Sequence, residues 1–148
     1  MYGNILLATD GTVASENATR HAIGLADLHG AMLHALYIVD SVIYSAYSGD
    51  EYVDEREGPE HGLEEVGNEA LATVRERAAE RDVETIGTLR RGRPHEEIVD
   101  YAGEEGVDLI VLGTRRHPEA YRNLLGSVTD RVVRMADEPV TVVKTEVE

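Results

Sequence analysis

Apolar runs and amphipathic stretches alternate along this chain, and the alternation predicts its elements. Asn4–Thr9 (NILLAT) is a short apolar run ending in Asp10-Gly11-Thr12, a strand followed by a turn signal. Residues 14–28 place Ala18, Ala22, Leu25 and Ala26 near helical spacing, and Gly30 stands where a helix stops. Met32–Val39 (MLHALYIV) reads as a second strand. Residues 41–59 are rich in Tyr, Ser, Gly and acids without a period, and predict a long loop. A charged helix is expected over 61–81, with Leu63, Val66, Ala70, Val74 and Ala78 turned inward. Glu84–Leu89 is a weaker third strand, and Arg91-Gly92-Arg93-Pro94 then breaks the chain and puts Pro94 where a helix can begin. A helix over about 95–105 turns Ile98, Val99 and Ala102 inward. Val107–Leu112 (VDLIVL) is a fourth strand, followed by a polar loop. A helix over 124–136 and a strand over Pro139–Lys144 (PVTVVK) complete the series.

Strand and helix thus alternate from end to end. Apolar, β-branched strands between amphipathic helices imply an α/β fold, a parallel sheet covered on both faces. Right-handed crossovers leave few topologies, and for five strands the expected spatial order is 3-2-1-4-5. Such a doubly wound sheet has its switch point between strands one and four, where ligands bind beyond the carboxyl ends of the strands. The segments meeting there are Asp10–Thr12 and Gly113 onward. No linker or internal repeat interrupts the pattern, so residues 1–148 are read as one domain.

Composition narrows the chemistry. Cys is absent, which removes disulfides, thiolate metal sites and a Cys nucleophile, and with no Trp or Phe the core has to be aliphatic. No window has the length of apolar residues that a membrane span needs. The opening MYGNILLATD is too short and too uncharged for a signal peptide, so a cytoplasmic protein is expected. The net charge of −15 argues against nucleic acid or an anionic membrane as partner. It fits a solvated acidic surface, and with a single Lys (Lys144) it also fits a salt-rich, halophilic cytoplasm. The charge is uneven: residues 1–89 carry 17 acids and 5 bases, whereas residues 90–134 carry 8 of each. That concentration of Arg marks either a place that receives an anion or a set of ion-pair partners for nearby carboxylates.

The segment from Gly113 to Thr129 leaves a buried strand and enters a helix. Close backbone approach at Gly, free N–H groups at a helix start and hydroxyl donors together suit a phosphate. Gly126, Ser127 and Thr129 offer these, although Gly126 as a turn and Ser127 or Thr129 as a helix cap explain the same residues. The six His show no ligand spacing and predict no metal site. There is no P-loop lysine motif, Ser127 lacks the flanks of a nucleophile elbow, and no carboxylate stands out as a base. Binding is therefore expected rather than catalysis, with ATP hydrolysis slow and incidental at most. No G-x-G-x-x-G follows the first strand, which leaves flavin or nicotinamide binding without a fingerprint.

The joint order of these pieces resembles the nucleotide-binding universal stress proteins over essentially the whole chain. That family carries Gly, two residues, a second Gly, nine residues, then Gly-Ser or Gly-Thr. Gly113 takes the first place here and Gly126-Ser127 the last. The first strand ending in Asp10-Gly11, Gly92-Arg93-Pro94, VDLIVLG and Pro139-Val140-Thr141-Val142-Val143 complete the likeness. The resemblance implies a stress-response sensor binding ATP, ADP or AMP, with Asp10 against the ribose and the backbone of Val39 at the adenine. Gly113, Gly126, Ser127, Val128 and Thr129 would then surround ribose and phosphates, with Mg²⁺ held by the phosphates. It also implies a homodimer through residues 139–144 and an unidentified protein partner. The second Gly of the family pattern is Arg116 in this chain. Its guanidinium either binds phosphate or blocks the site, and in the second case the chain is a nucleotide-free dimeric interaction module.

Overall fold

A computed structural model describes residues 2–11, 13–40, 59–116 and 127–146. The strands are β1 (Asn4–Ala8), β2 (Met32–Asp40), β3 (Thr85–Gly92), β4 (Leu109–Arg116) and β5 (Val140–Glu146). The helices are α1 (Val13–His29), α2 (Pro59–Ala79), α3 (Pro94–Glu104) and α4 (Ser127–Met135). All strand pairs are parallel and the order across the sheet is β3-β2-β1-β4-β5, as the alternation implies.

Successive strand residues point to opposite faces, so the sheet builds two cores. Ile5, Leu7, Leu33, Ala35, Leu109 and Val111 face α1 and α2, where Ala18, Ala22, Leu71, Val74 and Ala78 close the layer. Leu6, Leu36, Ile110 and Leu112 face the other way, against Ile98 and Ala102 of α3 and Val132 of α4. At the amino end of the sheet, the Asp108 carboxylate accepts the N–H groups of Gly3 and Asn4 at 2.8 and 2.9 Å, tying the start of β1 to β4.

Several boundaries differ from the expectations. The polar loop expected after Leu112 starts later, because Gly113–Arg116 remain in β4 and pair with Val143–Glu146. Polar side chains disguised a segment whose backbone is bonded to a neighbour, and Thr114 is buried there. β3 likewise runs past Leu89, with Arg90 and Arg91 opposite Ile38 and Val39. Val107 is buried but lies before the strand. Pro139 precedes β5, since it has no N–H for a ladder. Val66, expected inward, is 49 % exposed, while Leu71 and Val74 turn the inner face of α2 away from it. The long loop expected over 41–59 falls, apart from residue 59, outside the described residues. Among the described residues no helix is long and apolar enough to cross a membrane.

One polar chain crosses the α3 face. His34 of β2 is 4 % exposed and binds on both ring nitrogens, Nδ1 to the Tyr101 hydroxyl at 2.7 Å and Nε2 to Asn4 Oδ1 at 3.0 Å. The Asn oxygen can only accept, so Nε2 carries the proton and the Tyr101 hydroxyl donates to Nδ1, a neutral ring with both positions filled. Burial lowers the His34 pKa below the usual histidine value, opposed by the charge of Glu105. The folded chain thus resists a proton that the unfolded chain accepts. The stabilising contribution is full above the unfolded histidine pKa of about 6.5 and shrinks as pH falls toward the lower folded value. Urea denaturation at pH 8 and pH 5.5 is expected to show lower stability at 5.5, with His34→Gln reducing that difference. An equal difference in the variant would remove His34 as its source.

Candidate functional site

A cavity of about 360 Å³ opens at the carboxyl ends of β1, β2 and β4. This size suits a small-molecule site, and the place is the switch point of the sheet. Ala8, Leu36, Ile38 and Leu112 supply an apolar floor; Leu63 of α2 and Pro94 and Ile98 of α3 form its sides. Thr9, Asp10, Ser15 and Asp40 bring polar groups to it, and Val128 and Thr129 reach it from the first turn of α4.

The turn between β1 and α1 is built to hold Asp10. The Thr9 N–H donates to Leu36 O at 2.9 Å, carrying the β1–β2 pairing one residue past the strand. Gly11 then turns the chain with φ +78°, and its N–H donates to Thr9 Oγ1 at 3.2 Å. Ser15, buried in the first turn of α1, locks the turn from the far side: its Oγ accepts the Asp10 N–H at 2.9 Å and donates to Asp10 Oδ1 at 2.6 Å. Thr19 in turn donates to the Ser15 carbonyl at 2.6 Å. Asp10 is therefore a positioned, exposed carboxylate at the rim of the cavity.

Tyr37 stands beside it. Its ring rests on Gly67 of α2, where a Cβ would come within 2.6 Å of Tyr37 Cδ1 and 2.7 Å of Leu89 Cδ1. Only glycine lets helix and ring approach this closely. Burial, and then the Asp10 charge, push the Tyr37 phenol above its ordinary value, so it stays protonated at neutral pH.

Two helix starts face the cavity from the opposite side, through Pro94 of α3 and Val128 and Thr129 of α4. The first-turn N–H groups of α4 carry partial positive charge suited to an anion, whereas Pro94 at the start of α3 has no N–H to offer. The lining has two carboxylates, Asp10 and Asp40, and no basic side chain among the described residues. The arginines of residues 90–134 instead serve as ion-pair partners wherever their side chains are described in pairs. Arg90 meets Glu104 at 2.6 Å and Glu97 at 3.7 Å, Arg91 meets Glu64, Arg93 meets Glu96 at 3.8 Å and Arg134 meets Asp130 at 3.2 Å.

Of the residues expected at a nucleotide site, Asp10, Val39, Gly113, Val128 and Thr129 line this one cavity. Ser127 is the first residue of α4, exposed and outside the lining. Arg116 is a strand residue opposite Glu146, and Gly126 lies outside the described residues. Sequence reasoning passed over Thr9, Ser15, Tyr37 and Asp40. Thr9 and Asp40 were legible as strand ends at the switch point; Ser15 and Tyr37 carried no local signal, because their roles arise from contacts with Asp10 and Gly67. Among the described residues no cluster of His, Asp or Glu could hold a metal ion.

The model of the universal stress protein family matches residues 1–144. The chain is similar to universal stress protein MJ0531 of Methanocaldococcus jannaschii, 38 % identical, over 97 % of this chain and 83 % of that one. The solved universal stress protein UspA of Lactobacillus plantarum is 28 % identical with a TM-score of 0.72, covering 96 % of this chain and 97 % of the other. A universal stress protein of Archaeoglobus fulgidus, solved in complex with dAMP, shares the fold at 23 % identity and a TM-score of 0.69, covering 97 % and 98 %.

The seat of Tyr37 generates a test. Gly67→Ala is expected to cost about 1–3 kcal/mol of stability, because a methyl group there must displace the ring or α2. Gly62→Ala in the same helix, with nothing within 4 Å of the added carbon, is expected to be neutral or stabilising, since Ala is the better helix former. Urea midpoints of both variants check this, and equal effects would mean that the close approach at Gly67 carries no energetic weight.

Proposed function

Because the chain belongs to the universal stress protein family, we propose that it is a stress-response regulator that binds an adenine nucleotide in the cavity between β1 and β4. The observation that carries this reading is the convergence of Asp10, Val39, Gly113, Val128 and Thr129, distant in sequence, on one cavity at the switch point. The dAMP held by the Archaeoglobus fulgidus relative supports the ligand class. In this reading Asp10 takes the ribose, the Val39 backbone takes the adenine, and the phosphates lie at the start of α4 by Ser127, with Gly126 and Arg116 the further residues that the family pattern assigns to them. Magnesium, where present, is held by the phosphates. The protein acts in the cytoplasm by binding rather than by turnover. It pairs with a second copy through β5, a sheet edge whose Val140, Val142 and Val143 are only half-buried within the chain.

A second reading, a nucleotide-free interaction module, is favoured by the two carboxylates and absent base in the described lining. Calorimetric titration of nucleotide-free protein with AMP and with ATP·Mg²⁺ separates the two. One site per chain is expected, weakened several-fold in Ser127→Ala; absence of heat from folded protein with either nucleotide would select the interaction module. For the dimer, sedimentation is expected to give twice the chain mass, and Val142→Arg to give monomer.

A further inference from the structure

Tyr37 is more than packing for α2. Its ring is pinned from two sides, by the backbone of Gly67 and by Leu89, its register partner in β3. A pinned ring fixes its hydroxyl. Phe would fill the same seat equally well, so the packing does not account for the oxygen. Among the described residues that hydroxyl has no hydrogen-bond partner, yet no unpartnered side-chain oxygen or nitrogen there is sealed from solvent. The hydroxyl is therefore open to the outside, and the space that Tyr37 lines is the switch-point cavity. The Thr9–Leu36 bond brings the end of β1 level with it, and Asp10, fixed by Ser15, follows at once.

A carboxylate only accepts hydrogen bonds, whereas a phenol both donates and accepts. Side by side at a cavity rim, the two form a complementary pair for a vicinal diol: one sugar hydroxyl donates to the carboxylate and the other bonds to the phenol. We infer that the Tyr37 hydroxyl and the Asp10 carboxylate jointly read the ribose cis-diol, so that this chain selects ribonucleotides over deoxy analogues. The inference rests on the reading of the cavity as an adenine-nucleotide site, and it adds a specificity-determining residue that no charge or motif marked.

The test is titration of wild type and Tyr37→Phe with AMP, 2′-deoxy-AMP and 3′-deoxy-AMP, with thermal melts to show that the Phe ring keeps the seat on Gly67. Wild type is expected to bind AMP about five- to tenfold tighter than at least one deoxy analogue, the effect of one hydrogen bond of roughly 1–1.4 kcal/mol. Tyr37→Phe is expected to erase the gap for the analogue that lacks the hydroxyl bonded to the phenol, by weakening AMP and not that analogue, while the gap for the other analogue, set by Asp10, remains. The same ranking in the variant, or equal binding of all three by wild type, would overturn the inference while leaving the nucleotide site standing. Failure of wild type to bind AMP at all would overturn both, and is read from the absence of binding rather than from a ratio.

Discussion

The parallel pairing of β1 with β4 is the constraint from which the rest of this molecule follows. β1 is five residues long, has strands on both sides, and places Ile5, Leu6 and Leu7 wholly out of solvent. Its backbone groups are satisfied only if β2 and β4 both lie against it in parallel, and no tight turn makes a parallel pair. Right-handed crossovers then decide where every helix goes. The steps from β1 to β2 and β3 move one way and lay α1 and α2 on one face. The return from β3 across to β4 and on to β5 moves the other way and lays α3 and α4 on the opposite face. β1 and β4 are therefore followed by helices on opposite faces, and the cavity lies at the carboxyl ends of these neighbouring strands.

That cavity is specified locally by short-range chemistry. The β1–α1 turn is held by backbone and hydroxyl bonds among Thr9, Asp10, Gly11 and Ser15, and a glycine in α2 leaves room for the Tyr37 ring against the helix. None of these contacts adds much to global stability, since a hydrogen bond contributes about 1 kcal/mol net. Their effect is to remove freedom from groups that the apolar core alone would leave loose. The core supplies the free energy and the turn supplies the placement.

How much of this was legible in the sequence follows from the same division. Strand order and helix positions could be read because burial imposes a period, and the hydrophobic residues of VDLIVL and NILLAT have no alternative place in an α/β chain. The switch point came with the order. Strand ends were harder: Gly113–Arg116 look like a loop by polarity, but parallel pairing depends on the backbone and tolerates polar side chains where β5 lies alongside. Val66 satisfied helical spacing and still turned outward, because the sheet contacts a narrower stripe of α2 than the spacing allows. At the site, Asp10, Gly113 and Thr129 were marked by residue type at the ends of elements. Tyr37 was not, since a contact with Gly67, 30 positions away, leaves no pattern in either neighbourhood, and neither was Ser15, which reads from its type and place only as a residue of the first turn of α1.

The electrostatics of the cavity explain why a protein of net charge −15 need not repel an anion from it. Exposed charges beyond about 8–10 Å are screened at physiological salt, so the distant carboxylates of α1 and α2 set solubility rather than the local potential. Near the cavity the charge is divided by side. Asp10 and Asp40 stand at the ends of β1 and β2, while the first turn of α4, with the positive end of its helix dipole, lies across from them. An anion is repelled on one side and favoured on the other; hydroxyl groups are favoured beside the carboxylates. A ligand with hydroxyls at one end and negative charge at the other can enter in one orientation, and its reverse meets like charge at one wall and lacks donors at the other. The carboxylates thus confer polarity on the cavity, which a uniformly basic site would lack.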